Sequence, residues 1–151
     1  MDSFEIGDRV QWAHAIFQPE KQDVEGNATR KNNMGRIALL EDDRDTAELM
    51  RVILGDEHHL AWFSTARDFL EAFKTDAFDL ILLDISLPDA SGLELYASIR
   101  DRSKTLPVII ISGHAELDAI QEAKRRGVSD YITKPVVDLD ALCETVRCNL
   151  R

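Results

Sequence analysis

Residues 79–92 read DLILLDISLPDASG. Asp79 leads into an unbroken apolar block, Leu80-Ile81-Leu82-Leu83, which ends abruptly at Asp84 and passes into a segment rich in Ser, Pro, Asp and Gly. An apolar block without alternation, closed by turn residues, reads as a strand covered on both faces. The same pattern recurs outward in both directions. Residues 37–40 (IALL) run into Glu41-Asp42-Asp43, and residues 108–111 (VIII) run into Ser112-Gly113. Two less uniform runs, 60–63 and 131–132, complete the set, the second followed by Thr133-Lys134-Pro135. Between and after them lie helical patterns at 46–54, 66–73, 92–100, 117–126 and 139–150. The last carries Leu139, Leu142, Val146 and Leu150 on one stripe, with Asp138 as its expected N-cap. Five strand–helix pairs in strict alternation predict an α/β fold, a parallel sheet with helices on both faces.

The strand ends carry the polar residues. In open parallel sheets ligands bind beyond the carboxyl ends of the strands, where the strand order reverses. If the order is 2-1-3-4-5, the switch point brings Glu41, Asp42 and Asp84 together, with Ser112 and Lys134 on the flanking strands. Crowded carboxylates repel one another unless a cation is present, and a hard oxygen cluster open to water suits Mg²⁺. An aspartate can attack phosphorus to form an acyl phosphate. A lysine, a serine hydroxyl and Mg²⁺ would hold the oxygens of the transferring group. Singly, each residue has a plainer role: Asp43 or Asp45 as a helix cap, Asp84 in an Asx-turn, Ser112-Gly113 as turn chemistry, Lys134-Pro135 as a stop signal. Their joint occurrence at successive strand ends favours phosphoryl transfer to Asp84.

Four segments, 37–43 (IALLEDD), 79–92, 108–115 (VIIISGHA) and 130–135 (DYITKP), closely resemble the receiver domains of two-component response regulators. The resemblance covers residues 36 to about 150. It implies the flavodoxin-like doubly wound sheet, five strands in the order 2-1-3-4-5. It also implies Asp84 as the phosphorylated aspartate, Asp42 as a direct Mg²⁺ ligand and Glu41 acting on the ion through water. Ser86 would offer its backbone carbonyl to the metal. Ser112 stands at the position of the family's switching hydroxyl, Tyr131 at that of its aromatic switch, and Lys134 at that of its lysine, followed by Pro135 through a cis bond. The family often has aspartate at the Glu41 position; glutamate is a common variant. The implied partners are a sensor histidine kinase or histidine phosphotransfer protein and a downstream protein target, with a possible homodimer. The target would be read on a face made by the fourth helix, fifth strand and fifth helix, where Arg125, Arg126, Asp130 and Asp140 offer charges. The chain is expected to accept a phosphoryl group, not to turn over a substrate.

The bulk composition agrees. The 151 residues suffice for one domain, and 44% hydrophobic with 30% charged residues is a globular composition. A formal net charge of −10 disfavours nucleic acid, and the densest basic cluster, Lys124-Arg125-Arg126, suits a helix C-terminus. No apolar run is long enough to span a bilayer. Cys143 and Cys148 are expected as reduced thiols in a cytoplasmic protein. Residues 19–35 are polar, so 1–35 is expected to be a leader and 36–151 the receiver; a chain starting at Met34 should still fold and accept phosphate. Within the leader, Ile6, Val10, Ala13 and Phe17 fall at helical spacing, and Trp12 has no assigned partner. His58-His59 lacks a third ligand for a metal, and His114, two residues after Ser112, is placed to overhang Asp84 or to face solvent. Three alternatives are weighed, one being an interaction domain that keeps the fold without phosphorylation, against which the intact acidic set argues. An aspartate-nucleophile phosphatase would need a second aspartate where Ser86 stands. A receiver cut from a longer DNA-binding regulator would continue past Arg151, where the last helix is expected to end.

Overall fold

The computed structural model describes residues 34–113 and 117–150. Met1–Asn33, including Trp12, and His114 lie outside the described residues. Strands and helices alternate: β1 (Arg36–Leu40), α1 (Arg44–Leu54), β2 (His59–Phe63), α2 (Ala66–Phe73), β3 (Leu80–Asp84), α3 (Gly92–Arg102), β4 (Val108–Ser112), α4 (Leu117–Arg125), β5 (Asp130–Thr133) and α5 (Leu139–Asn149). All neighbouring strands pair in parallel, in the order β2-β1-β3-β4-β5.

The period-two alternation of a strand sorts the apolar blocks into two cores. Ile37 and Leu39 of β1, Leu80 and Leu82 of β3, and Ile109 and Ile111 of β4 face one side. There they meet Met50 and Leu54 of α1 and Leu142 and Val146 of α5. The alternate residues, Ala38, Leu40, Ile81, Leu83, Val108 and Ile110, face the other side. Against them pack Phe69 and Phe73 of α2, Leu95, Tyr96 and Ile99 of α3, and Ala123 of α4. Continuous apolar sequence in the central strands is therefore the consequence of two covered faces. At about 1.5–3 kcal/mol for each large apolar side chain fully buried, these blocks dominate the driving force for folding.

Four of the helices start where their capping chemistry dictates. Asp43, Thr65, Ser91 and Asp138 cap α1, α2, α3 and α5, each accepting a first-turn backbone N–H on its side-chain oxygen. The expected Asp138 cap is present. The expected stripe on the last helix is only partly buried: Leu142 and Val146 enter the core, whereas Leu139, in the first turn, stays 39% exposed. One connection differs from the sequence reading. His59 begins β2 instead of preceding it, and the buried His58 accepts the Gly35 N–H on Nδ1 at 3.2 Å. Gly92 is required by close approach: a Cβ there would stand 2.6 Å from the Ile85 Cα. That contact folds the segment after Asp84 back onto the end of β3.

Candidate functional site

Register places the functional residues. Leu40 lies opposite Leu83, so the next residues, Glu41 and Asp84, emerge side by side at the carboxyl ends of β1 and β3. Asp84 is in register with Ile111 and Ser112 with Thr133, so Ser112 and Lys134 complete the rim one step further on. One carboxylate oxygen from each of Glu41, Asp42 and Asp84 lies within 4.8 Å of the others. Glu41 and Asp84 are buried, and Asp42 is exposed.

Lys134 ties the cluster together. Its Nζ donates to Glu41 Oε2 at 2.9 Å and to Asp84 Oδ2 at 3.1 Å. Its own backbone N–H donates to the Ser112 carbonyl at 2.7 Å, and the Lys134–Pro135 peptide is cis. Burial works against the ammonium charge, but the hydrogen bonds to Glu41 and Asp84 outweigh it and hold the Lys134 pKa above its ordinary value. Glu41 shows the opposite balance. Burial pushes its carboxyl up to about 7, the Lys134 bond opposes that rise, and the Asp84 charge adds to it. The other Asp84 oxygen, Oδ1, accepts the Ser86 backbone N–H at 2.9 Å.

Two buried oxygens at this rim, Glu41 Oε1 and Ser112 Oγ, have no hydrogen-bond partner among the described residues. An unpaired buried acceptor or hydroxyl costs about 1–3 kcal/mol, which a ligand at the site would relieve. Three converging carboxylates open to solvent through Asp42 are the donor set a small divalent cation such as Mg²⁺ takes. The residues present therefore fit the ion.

A model of the response regulator receiver domain matches residues 37–147. The chain belongs to this family. It is 36% identical to the transcriptional regulatory protein CitT of Halalkalibacterium halodurans, over 67% of this chain and 46% of that protein. It is 37% identical to the response regulator PilR of Pseudomonas aeruginosa, over 77% of this chain and 26% of that protein. The chain thus spans less than half the length of these relatives. Among solved structures, the receiver domain of NtrX from Brucella abortus superposes with a TM-score of 0.71 at 34% identity, covering 76% of this chain and 97% of that one. Receivers accept a phosphoryl group beside a bound Mg²⁺ and are not turnover enzymes; at the family level they work with histidine kinases or phosphotransfer proteins. Among the described residues no helix is long and apolar enough to cross a membrane.

Of the receiver's other expected residues, Tyr131 lies on β5, 38% exposed, with the Lys124 ammonium 4.5 Å from its ring centroid. Arg125, the last residue of α4, and Arg126, just past it, both pair with Glu122 of α4, and the Asp130 carboxylate accepts its neighbour Tyr131 N–H. Cys143 and Cys148 are free thiols. Two residues to which sequence reasoning assigned no part in the site hold the rim from outside: Trp62, read there only as a strand-end residue with one face buried, and Asp89. The Trp62 indole N–H donates to the Glu41 carbonyl at 2.8 Å. The Asp89 carboxylate accepts the backbone N–H groups of Ala66 and Arg67 at 2.9 and 3.1 Å, fastening the segment after Asp84 to the start of α2. Both contacts join residues more than twenty positions apart, and no local pattern announces them.

Proposed function

We propose that Asp84 is the phosphoacceptor of this receiver, within a unit spanning 36–151 that functions without 1–35. The observation that carries the reading is the Lys134 ammonium bonded to both Glu41 and Asp84 beside the unpartnered Ser112 hydroxyl. In this reading an Asp84 carboxylate oxygen attacks phosphorus. A P–O bond forms as the bond from phosphorus to the donor, a phosphohistidine of a kinase or phosphotransfer protein, breaks. Asp42, Asp84 and the Ser86 carbonyl would hold Mg²⁺ directly, with Glu41 acting through water; when bound, the ion supplies charge neutralisation for the phosphoryl oxygens. Lys134 exchanges its carboxylate contact for a phosphoryl oxygen, and Ser112 donates its hydroxyl to another. Ser112 ends β4 in register with Thr133 of β5, and Lys134 directly follows β5, so their movement would reach Tyr131 on that strand. The output in this reading is a protein contact on the α4-β5-α5 face, made with a downstream target or a second copy.

Incubation with acetyl phosphate and Mg²⁺ should add one acid-stable, base-labile phosphoryl group, readable by intact mass. Asp84→Asn should take up none. Modification persisting in that variant overturns the assignment.

A further inference from the structure

We propose that Trp62 is a positioning residue for the acidic turn, its indole N–H fixing the peptide plane between Glu41 and Asp42 and so presetting both carboxylates for a divalent cation. The inference rests on the reading that Asp42 and its neighbours hold that cation. Strand β1 ends at Leu40, and the backbone must then turn from the strand into α1. The turn is anchored before and after the Glu41 carbonyl. Upstream, the Glu41 N–H still donates to the Phe63 carbonyl at 3.0 Å. Downstream, the Asp43 N–H donates to Glu41 Oε2 at 3.0 Å, and Asp43 caps α1. Between these points the Glu41 carbonyl accepts from the Trp62 side chain at 2.8 Å.

The peptide unit is planar, so a bond that orients this carbonyl also orients the Asp42 N–H and limits the directions of both flanking side chains. Tryptophan suits the task. It is a donor without charge or acceptor, so it adds nothing to the crowded negative field of three carboxylates. Its ring body packs on the core shared with α1 and α5, and its strand position is fixed by register opposite Leu39. The donor therefore comes from a rigid element. A turn ordered before the ion arrives leaves less conformational freedom to lose on binding.

The experiment uses the full chain with Trp12→Phe, leaving Trp62 as the single indole of the two. Magnesium affinity is measured by calorimetry for three variants: Trp62→Phe, Trp62 replaced by 3-benzothienylalanine, and Asp42→Asn. The benzothienyl ring keeps the bicyclic shape and lacks the N–H, so it decides the matter if the Phe variant folds poorly. Without the N–H, Mg²⁺ affinity should fall about two- to tenfold, the scale of one neutral hydrogen bond. Amide hydrogen exchange at Asp42 should speed up in the metal-free protein. A general loss of structure would not confine that change to the turn. Wild-type affinity and exchange in the benzothienyl variant, with Asp42→Asn binding weakly, overturns the role of Trp62 alone. Full affinity in Asp42→Asn overturns the cation reading itself.

Discussion

Glu41 stands with no solvent exposure between a lysine that wants it charged and an aspartate that does not. Its carboxyl titrates at about 7 in the folded chain against an ordinary value of 4.5. Between those two values the folded state binds the proton more tightly than the unfolded state does. The stabilisation it contributes is complete below about pH 4.5 and is lost as pH rises through about 7. In metal-free buffer, the stability of wild type relative to Glu41→Gln should therefore fall across this window. The change should be on the order of 1–3 kcal/mol, measured by urea unfolding at several pH values. His58 acts in the opposite sense. Burial lowers its pKa, so its contribution fades as pH falls below 6.5, but it titrates in both proteins and cancels in the difference. A flat difference curve would show that Glu41 stays ionised throughout. At this scale the sequence named Glu41, Asp42, Asp84, Ser112 and Lys134 because each follows a legible strand. It did not show that Lys134 bridges two carboxylates, since charge pairing across strands depends on side-chain direction at the rim.

The elements were legible wherever an apolar period and a cap coincided. Ala66–Phe73 is the helix that its spacing predicts, and the central strands are the blocks that the sequence displays. The exposure of Leu139 was not legible, because a helical stripe does not say where the helix overhangs the end of the sheet. Nor was the fastening of one element to another. Asp89 joins the loop after β3 to the first turn of α2, where unpaired N–H groups and the positive end of the helix dipole favour a carboxylate. Thr65 caps the same helix, so two side chains share its open donors. Asp89→Ala should destabilise the protein by about 1 kcal/mol, the typical value of a helix cap, with Asp89→Asn retaining part of it. Chemical denaturation of both variants measures this. Equal stability of Asp89→Ala and wild type would show that solvent serves those N–H groups as well as the carboxylate does.

Across the whole molecule, the site and the proposed output face are joined by β5 and the turn that follows it. Lys134 belongs to that turn, and its ammonium is held by Glu41 and Asp84. In the proposed reading a phosphoryl group on Asp84 would offer a stronger acceptor and would draw Lys134 and Ser112 towards itself. Three residues upstream of Lys134, Tyr131 presents an exposed ring under the Lys124 ammonium, so any movement of β5 or α4 disturbs that contact. Beside it, Val137 and Leu139 are exposed, and Tyr131, Pro135, Val137, Ala141 and Thr145 help line a cleft of about 230 Å³. A partly apolar cleft next to a ring that carries a surface cation–π contact can be re-formed at small energetic expense, about 0.5–1 kcal/mol for that contact. Phosphorylation need then only bias two arrangements of this face, not build one. Of the four charges expected to serve an interface, Arg125 and Arg126 already pair with Glu122, and the exposed apolar residues offer a further contact beside them. With beryllofluoride and Mg²⁺, amide shifts should therefore spread from the turns around Asp84 to Tyr131 and α5. Under the same conditions Val137→Glu should weaken activated self-association or target binding by about tenfold or more, since it places a charge in an apolar contact. It should leave phosphorylation of Asp84 intact. Shifts confined to the acidic turns, or undiminished association in the Val137→Glu protein, would place the output on another face of the sheet.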